Sequence, residues 1–107
     1  MFHSTPRKDE IEPQQAHENL LSGAVLVDVR EPNEWAAGHA TGAVHVPLGH
    51  LANRIGELPA DRELLFLCQS GSRSLVATRI ATDRGHTAKS VRGGTIAWAR
   101  AGLPLER

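Results

Sequence analysis

Two short, unbroken apolar runs constrain this chain most: Ala24-Val25-Leu26-Val27-Asp28-Val29 and Leu64-Leu65-Phe66-Leu67. Each has strand length and neither alternates with polar residues, so each reads as a strand covered on both faces, as in a parallel sheet. Segments with helical spacing lie between and around them. Pro13 opens a short helix that Gly23 closes just past Leu20-Leu21, and Glu31 to Gly38 fits another with Pro32 near its first turn. His50 to Leu58 carries Leu51, Ile55 and Leu58 on one face, with Pro59 as its stop. Leu75, Val76, Ile80 and Ala81 mark a helix after the second run, ending at Gly85. Weaker strands are expected over Ala43 to Pro47 and Ala88 to Val91, and a last helix bears Ile96 and Trp98. Strands alternating with helices predict a three-layer α/β/α fold around a mainly parallel, five-stranded sheet.

With 107 residues the chain makes one compact domain, read as residues 11–107 behind a flexible tail over residues 1–10. The segment Met1 to Glu12 has no apolar centre, and no apolar run approaches the length of a membrane span. Cys68 is the single cysteine, so no internal disulfide is available. A soluble, cytoplasmic setting with a free thiol is the expectation. Net charge is zero but unevenly spread: residues 73–107 carry seven basic side chains and two acidic ones. Charged faces of solvated helices are the favoured account, and a basic side near Cys68 that attracts small anions is the sharper one. Nucleic acid is not an expected partner, since there is no dense basic run and only two Trp and two Phe supply aromatic rings.

Cys68 sits where the second apolar run ends and a small polar loop, Gln69-Ser70-Gly71-Ser72, begins. Out of context, a cysteine beside Phe66 and Leu67 is an inert core residue. Its context argues otherwise. Loop N–H groups and the dipole of the following helix aim positive charge at the sulfur, which favours a thiolate. Gly71 admits a positive φ, and Arg73 supplies a cation beside the sulfur or an anion bound to it. Ser74 lies one position further on. In parallel sheets ligands bind beyond the carboxyl ends of strands, which is where Cys68, Asp28 and Arg30 fall. Asp28 is read as structural, accepting loop N–H groups. Arg30 is read either as a partner of Glu34 or as a cation at the pocket rim. His39 and His45 are expected to anchor loops, Gly93-Gly94 to form a tight turn, and Trp35 and Trp98 to pack. Six scattered histidines and one cysteine give no metal-ligand spacing.

Cys68-Gln69-Ser70-Gly71-Ser72-Arg73-Ser74 resembles the active-site loop of the rhodanese homology domain. The resemblance extends upstream through Val27-Asp28-Val29-Arg30, Glu34-Trp35, Gly38-His39, Gly42-Ala43, His45 and Pro47, and downstream through Gly85, Val91, Gly93-Gly94, Trp98, Gly102 and Pro104. Ala40 departs from the family, where a larger aliphatic residue commonly follows Gly-His. The resemblance implies a sulfurtransferase in which Cys68 carries a persulfide and N–H groups from Gln69 to Arg73 hold its outer sulfur. It further implies a small anionic donor such as thiosulfate, docked with help from Arg73, and a thiol, cyanide or sulfur-accepting protein as acceptor, without a cofactor. Related cysteine phosphatases place five residues between cysteine and arginine; here there are four, a smaller cradle. The rivals are a non-enzymatic rhodanese-like binding or regulatory module, which often lacks the cysteine, and a sulfur carrier serving one protein partner.

Overall fold

A computed structural model describes residues 7–107. Strands β1 (Glu10–Ile11), β2 (Val25–Asp28), β4 (Val44–His45), β5 (Leu64–Leu67) and β6 (Ala88–Val91) form one parallel sheet in the order β1-β6-β5-β2-β4. Helices α1 (Pro13–Leu21) and α5 (Gly94–Arg100) pack on one face, and α3 (Leu48–Arg54) and α4 (Ser72–Asp83) on the other. The short α2 (Pro32–Ala37) follows β2. This is the three-layer arrangement that the apolar runs predict.

Alternation along β5 divides the core. Leu64 and Phe66 point toward α3 and α4, joining Leu51, Ile55, Leu58, Ala77 and Ala81. Leu65 and Leu67 point the other way, joining Ala16, Val91 and Trp98. All four β5 side chains are fully buried, each contributing about 1.5–3 kcal/mol of transfer free energy for the larger ones. Cys68 continues this alternation one residue past the strand, so its sulfur lies on the α4 side.

Several expectations need adjustment. Residues 1–6 of the expected tail lie outside the described residues, but its last residue, Glu10, is paired: β1 aligns Glu10 with Ser90, and Asp9 accepts the Ser90 N–H. The His50–Leu58 helix starts earlier, at Leu48, and tightens into a 3-10 turn over Ile55–Glu57 before Pro59. Ala43 to Pro47 keeps only two strand residues. A small antiparallel pair, β3 (His39–Ala40) with β7 (Leu105–Glu106), has no counterpart in the sequence reading. It lies beside α5, where Trp98 is fully buried and donates its indole N–H to the Pro104 carbonyl.

Candidate active site

The loop after β5 wraps around Cys68 and enters α4. Gly71 occupies the position before the helix with φ 112° and ψ −10°, a left-handed conformation that suits glycine. That turn directs the Gly71 N–H to Cys68 Sγ at 3.1 Å, and the Ser74 N–H, in the first turn of α4, reaches it at 3.3 Å. The Ser74 hydroxyl lies 3.4 Å from the same sulfur. Burial pushes the thiol up, and it is the largest single influence. The Ser74 hydroxyl and the N–H groups of Ser74, Gly71 and Ser70 together outweigh it, so the Cys68 pKa falls below that of an ordinary thiol. Cys68 is fully buried, while Gln69, Ser70 and Ser72 of its loop are exposed.

The loop is also held from behind. The Thr95 and Ile96 N–H groups of α5 donate to the carbonyls of Cys68 and Gln69 at 2.8 and 3.2 Å. Gly94 makes this possible, because a Cβ there would stand 2.4 Å from both of those carbonyl oxygens. The glycine pair therefore does more than turn the chain: it lets the start of α5 sit against the cysteine loop.

The charged residues expected near the sulfur are arranged in closed pairs. Arg30 is not a partner of Glu34. It pairs with Asp28, its Nη2 reaching Oδ2 at 2.8 Å and its Nε both carboxylate oxygens, and it donates to the Gly38 carbonyl at 2.7 Å. Asp28 is fully buried and Arg30 nearly so, which makes this pair a structural tie between the end of β2 and the end of α2. The partner of Glu34 is Arg73, bound through two parallel contacts of 2.7 and 2.9 Å. The Arg73 hydrogen bonds hold Glu34 down to about 2, and the same contacts raise Arg73. Arg73 is close enough to Cys68 to feel its charge, but its own charge is met by Glu34. Above these pairs, Trp35 stacks between His39 and His45, with ring centroids 3.5 and 4.8 Å away. His39 Nδ1 lies 3.0 Å from the Trp35 carbonyl, and His45 Nε2 lies 2.7 Å from the Arg30 carbonyl, so both histidines anchor loops.

A groove of about 440 Å³ runs beside the loop, lined among others by Gln69, Thr95, Ile96, Leu105, Arg30 and Glu34. A second depression of about 500 Å³, lined by Asn19, Ala24, Asp61 and Glu63, lies at the amino ends of β2 and β5, away from Cys68. Among the described residues no three His, Cys, Asp or Glu side chains converge as metal ligands, and no helix is long and apolar enough to cross a membrane.

The family model described as "Rhodanese-like domain" matches residues 12–101, including the whole cysteine loop. The chain belongs to the rhodanese-like domain family. It is 38% identical over 104 residues to the "Thiosulfate sulfurtransferase 16, chloroplastic" of Arabidopsis thaliana, covering 85% of this chain and 87% of that one. It is 40% identical over 83 residues to an "HTH-type transcriptional regulator" of Mycobacterium tuberculosis, covering 76% of this chain. It spans only 37% of that regulator's length. The crystal structure of a rhodanese-related protein from Thermoplasma volcanium superposes with a TM-score of 0.84 at 27% identity, covering 91% of this chain and 96% of that one. Family and named relatives together make this a rhodanese-type, sulfurtransferase-family domain.

Sequence reasoning pointed to Cys68 and its loop, left two contributors incompletely placed and missed two others. The sequence offers Arg30 as one candidate partner of Glu34, whereas the structure gives Arg73, and Ser74, noted there only for its place after Arg73, supplies two of the contacts to sulfur. Ser90, whose hydroxyl touches that of Ser74 at 2.7 Å, was not singled out, and neither was Thr95. A polar residue in the short β6 was the available signal for Ser90.

Proposed function

We propose that this domain moves a sulfane sulfur from an anionic donor such as thiosulfate to cyanide or a thiol through a persulfide on Cys68. The observation that carries the proposal is the convergence of the Gly71 N–H, the Ser74 N–H and the Ser74 hydroxyl on one sulfur. In the first step the Cys68 thiolate attacks the outer sulfur of thiosulfate. The S–S bond of the donor breaks, and sulfite departs with the bonding pair. The negative charge then rests on the outer sulfur of the persulfide, within reach of the loop donors. In the second step cyanide or a thiolate attacks that outer sulfur and leaves as thiocyanate or an organic persulfide. Cys68 is again a thiolate, so atoms and charge balance without a cofactor. Arg73 enters as half of an ion pair, and a donor sulfonate competes with Glu34 for its guanidinium.

Similarity to a protein named as a thiosulfate sulfurtransferase supports this choice of donor. Similarity to a transcriptional regulator favours a second reading, a regulatory or partner-specific sulfur-carrying module. Thiosulfate-to-cyanide turnover separates the two. Wild-type protein should form thiocyanate catalytically, and Cys68→Ser should abolish the reaction because an oxygen nucleophile forms no persulfide. Absence of turnover with thiosulfate, 3-mercaptopyruvate and a persulfidated thiol would leave the module as the better account.

A further inference from the structure

Ser90 is fully buried on β6, opposite Phe66 in the register, and faces the side of the sheet that carries Cys68. Its hydroxyl oxygen lies 2.7 Å from Ser74 Oγ. Ser74 Oγ in turn lies 3.4 Å from Cys68 Sγ and 3.1 Å from the Gly71 carbonyl. The Ser74 hydroxyl therefore has three neighbours but only one hydrogen to give. A carbonyl oxygen accepts only, and so does a thiolate. If Ser74 donated to Ser90, it would turn a lone pair toward an anionic sulfur. If Ser90 donates to Ser74, that single hydrogen stays available for the sulfur or for the Gly71 carbonyl.

The geometry points to Ser90 as a positioning residue: by donating its hydroxyl hydrogen to Ser74, it aims the Ser74 hydroxyl at Cys68. The Ser74 hydroxyl then works as a rotor. Beside a neutral thiol it accepts from both S–H and Ser90 and donates to the Gly71 carbonyl. When the thiol loses its proton, the Ser74 hydrogen turns from the carbonyl to the sulfur, and Ser90 keeps its role in both states.

The other charged groups near the sulfur do not compete for this role. On α4, Arg73 is bound to Glu34 of α2, and at the end of β2 Asp28 and Arg30 are bound to each other. From α3 the same cluster receives Leu51, and α5 offers its Thr95 N–H to the Cys68 carbonyl, not to the sulfur. Beside burial and the charge of Arg73, hydrogen bonds set the acidity of Cys68, and Ser90 stands at the head of the chain that runs through Ser74.

The inference rests on Cys68 being the anionic nucleophile of the proposed reaction, and its test needs no sulfur donor, so it succeeds or fails apart from sulfur transfer. The rate of Cys68 alkylation by iodoacetamide, followed against pH, reports the midpoint for thiolate formation. Ser74→Ala should raise that midpoint by about one pH unit, as loss of a hydrogen bond to a charged group would. Ser90→Ala should raise it by about half a unit, because it acts through Ser74. In the Ser74→Ala background, Ser90→Ala should add nothing. Ser90→Thr keeps the hydroxyl and should hold the midpoint near the wild-type value. Folding of each variant is followed by circular dichroism, and should Ser90→Ala fail to fold, the Thr variant carries the test. An unchanged midpoint in a folded Ser90→Ala, additive shifts in the double variant, or a raised midpoint in folded Ser90→Thr would each overturn the assignment.

Discussion

Replacing Glu34 by glutamine removes one charge from the pair beside the active-site loop and leaves the local shape in place. Glutamine keeps an oxygen for the Glu31 N–H that Glu34 now accepts, so the start of α2 should survive. The magnitude follows from the Glu34 pKa, which Arg73 hydrogen bonds lower from 4.5 to about 2. At about 1.36 kcal/mol per unit, that shift corresponds to a ceiling of about 3 kcal/mol. The two side chains are 22% and 33% exposed, so solvent screening reduces the expected loss to about 1–2 kcal/mol at pH 7. The sign of the pH dependence is fixed by the direction of the shift. A carboxylate with a lowered folded-state pKa stabilises fully above its unfolded value of 4.5 and loses that contribution as pH falls toward about 2. Urea unfolding of wild type and Glu34→Gln should therefore show a gap at pH 7 that shrinks below the unfolded-state value, with less than half remaining by about pH 3. The variant also uncovers Arg73 beside the sulfur, so its KM for thiosulfate should fall. A stability gap that stays constant from pH 7 to pH 3 would refute the ion-pair reasoning.

Two further perturbations probe the supports of the loop. Gly94→Ala places a methyl group against the Cys68 and Gln69 carbonyl oxygens at a φ of +60°, so sulfur transfer should fall by at least about tenfold, the cost of displacing preorganised donors. Steady-state kinetics check this, and wild-type turnover in a folded variant would contradict it. Arg30→Met strands the fully buried Asp28 without its partner and should cost about 3–5 kcal/mol in urea unfolding. Its KM for thiosulfate should stay unchanged, whereas a raised KM with unaltered stability would return Arg30 to the pocket rim.

The parts of this fold that were legible are those in which a few neighbouring residues fix the outcome. Leu64–Leu67 is apolar at every position and forms a strand over those four residues, and Gly71 closes the loop where a positive φ is needed. The pieces that were not legible depend on residues far apart in the chain. Glu10 carries no strand signal of its own and is ordered by pairing with Ser90, while His39–Ala40 is ordered by Leu105–Glu106. Arg73 and Glu34 are separated by 39 positions, so nothing local joins them. The pairing of Arg30 with Asp28 was within reach: residues two apart in extended chain lie on the same side, which places Asp28 nearer to Arg30 than Glu34 is. The Ser74–Ser90 contact needed the sheet order, because only the β5–β6 pairing sets Ser90 beside the cysteine loop.

The central claim is that Cys68 carries the transferred sulfur, and intact-protein mass spectrometry tests it most directly. After incubation with thiosulfate and removal of excess donor, the wild-type chain should gain one sulfur atom, located on the peptide containing Cys68. Cyanide should remove it with formation of thiocyanate, and Cys68→Ser should gain nothing. An unchanged mass after exposure to thiosulfate, 3-mercaptopyruvate and a persulfidated thiol in turn would contradict the account. So would a sulfur gained equally by the Cys68→Ser variant.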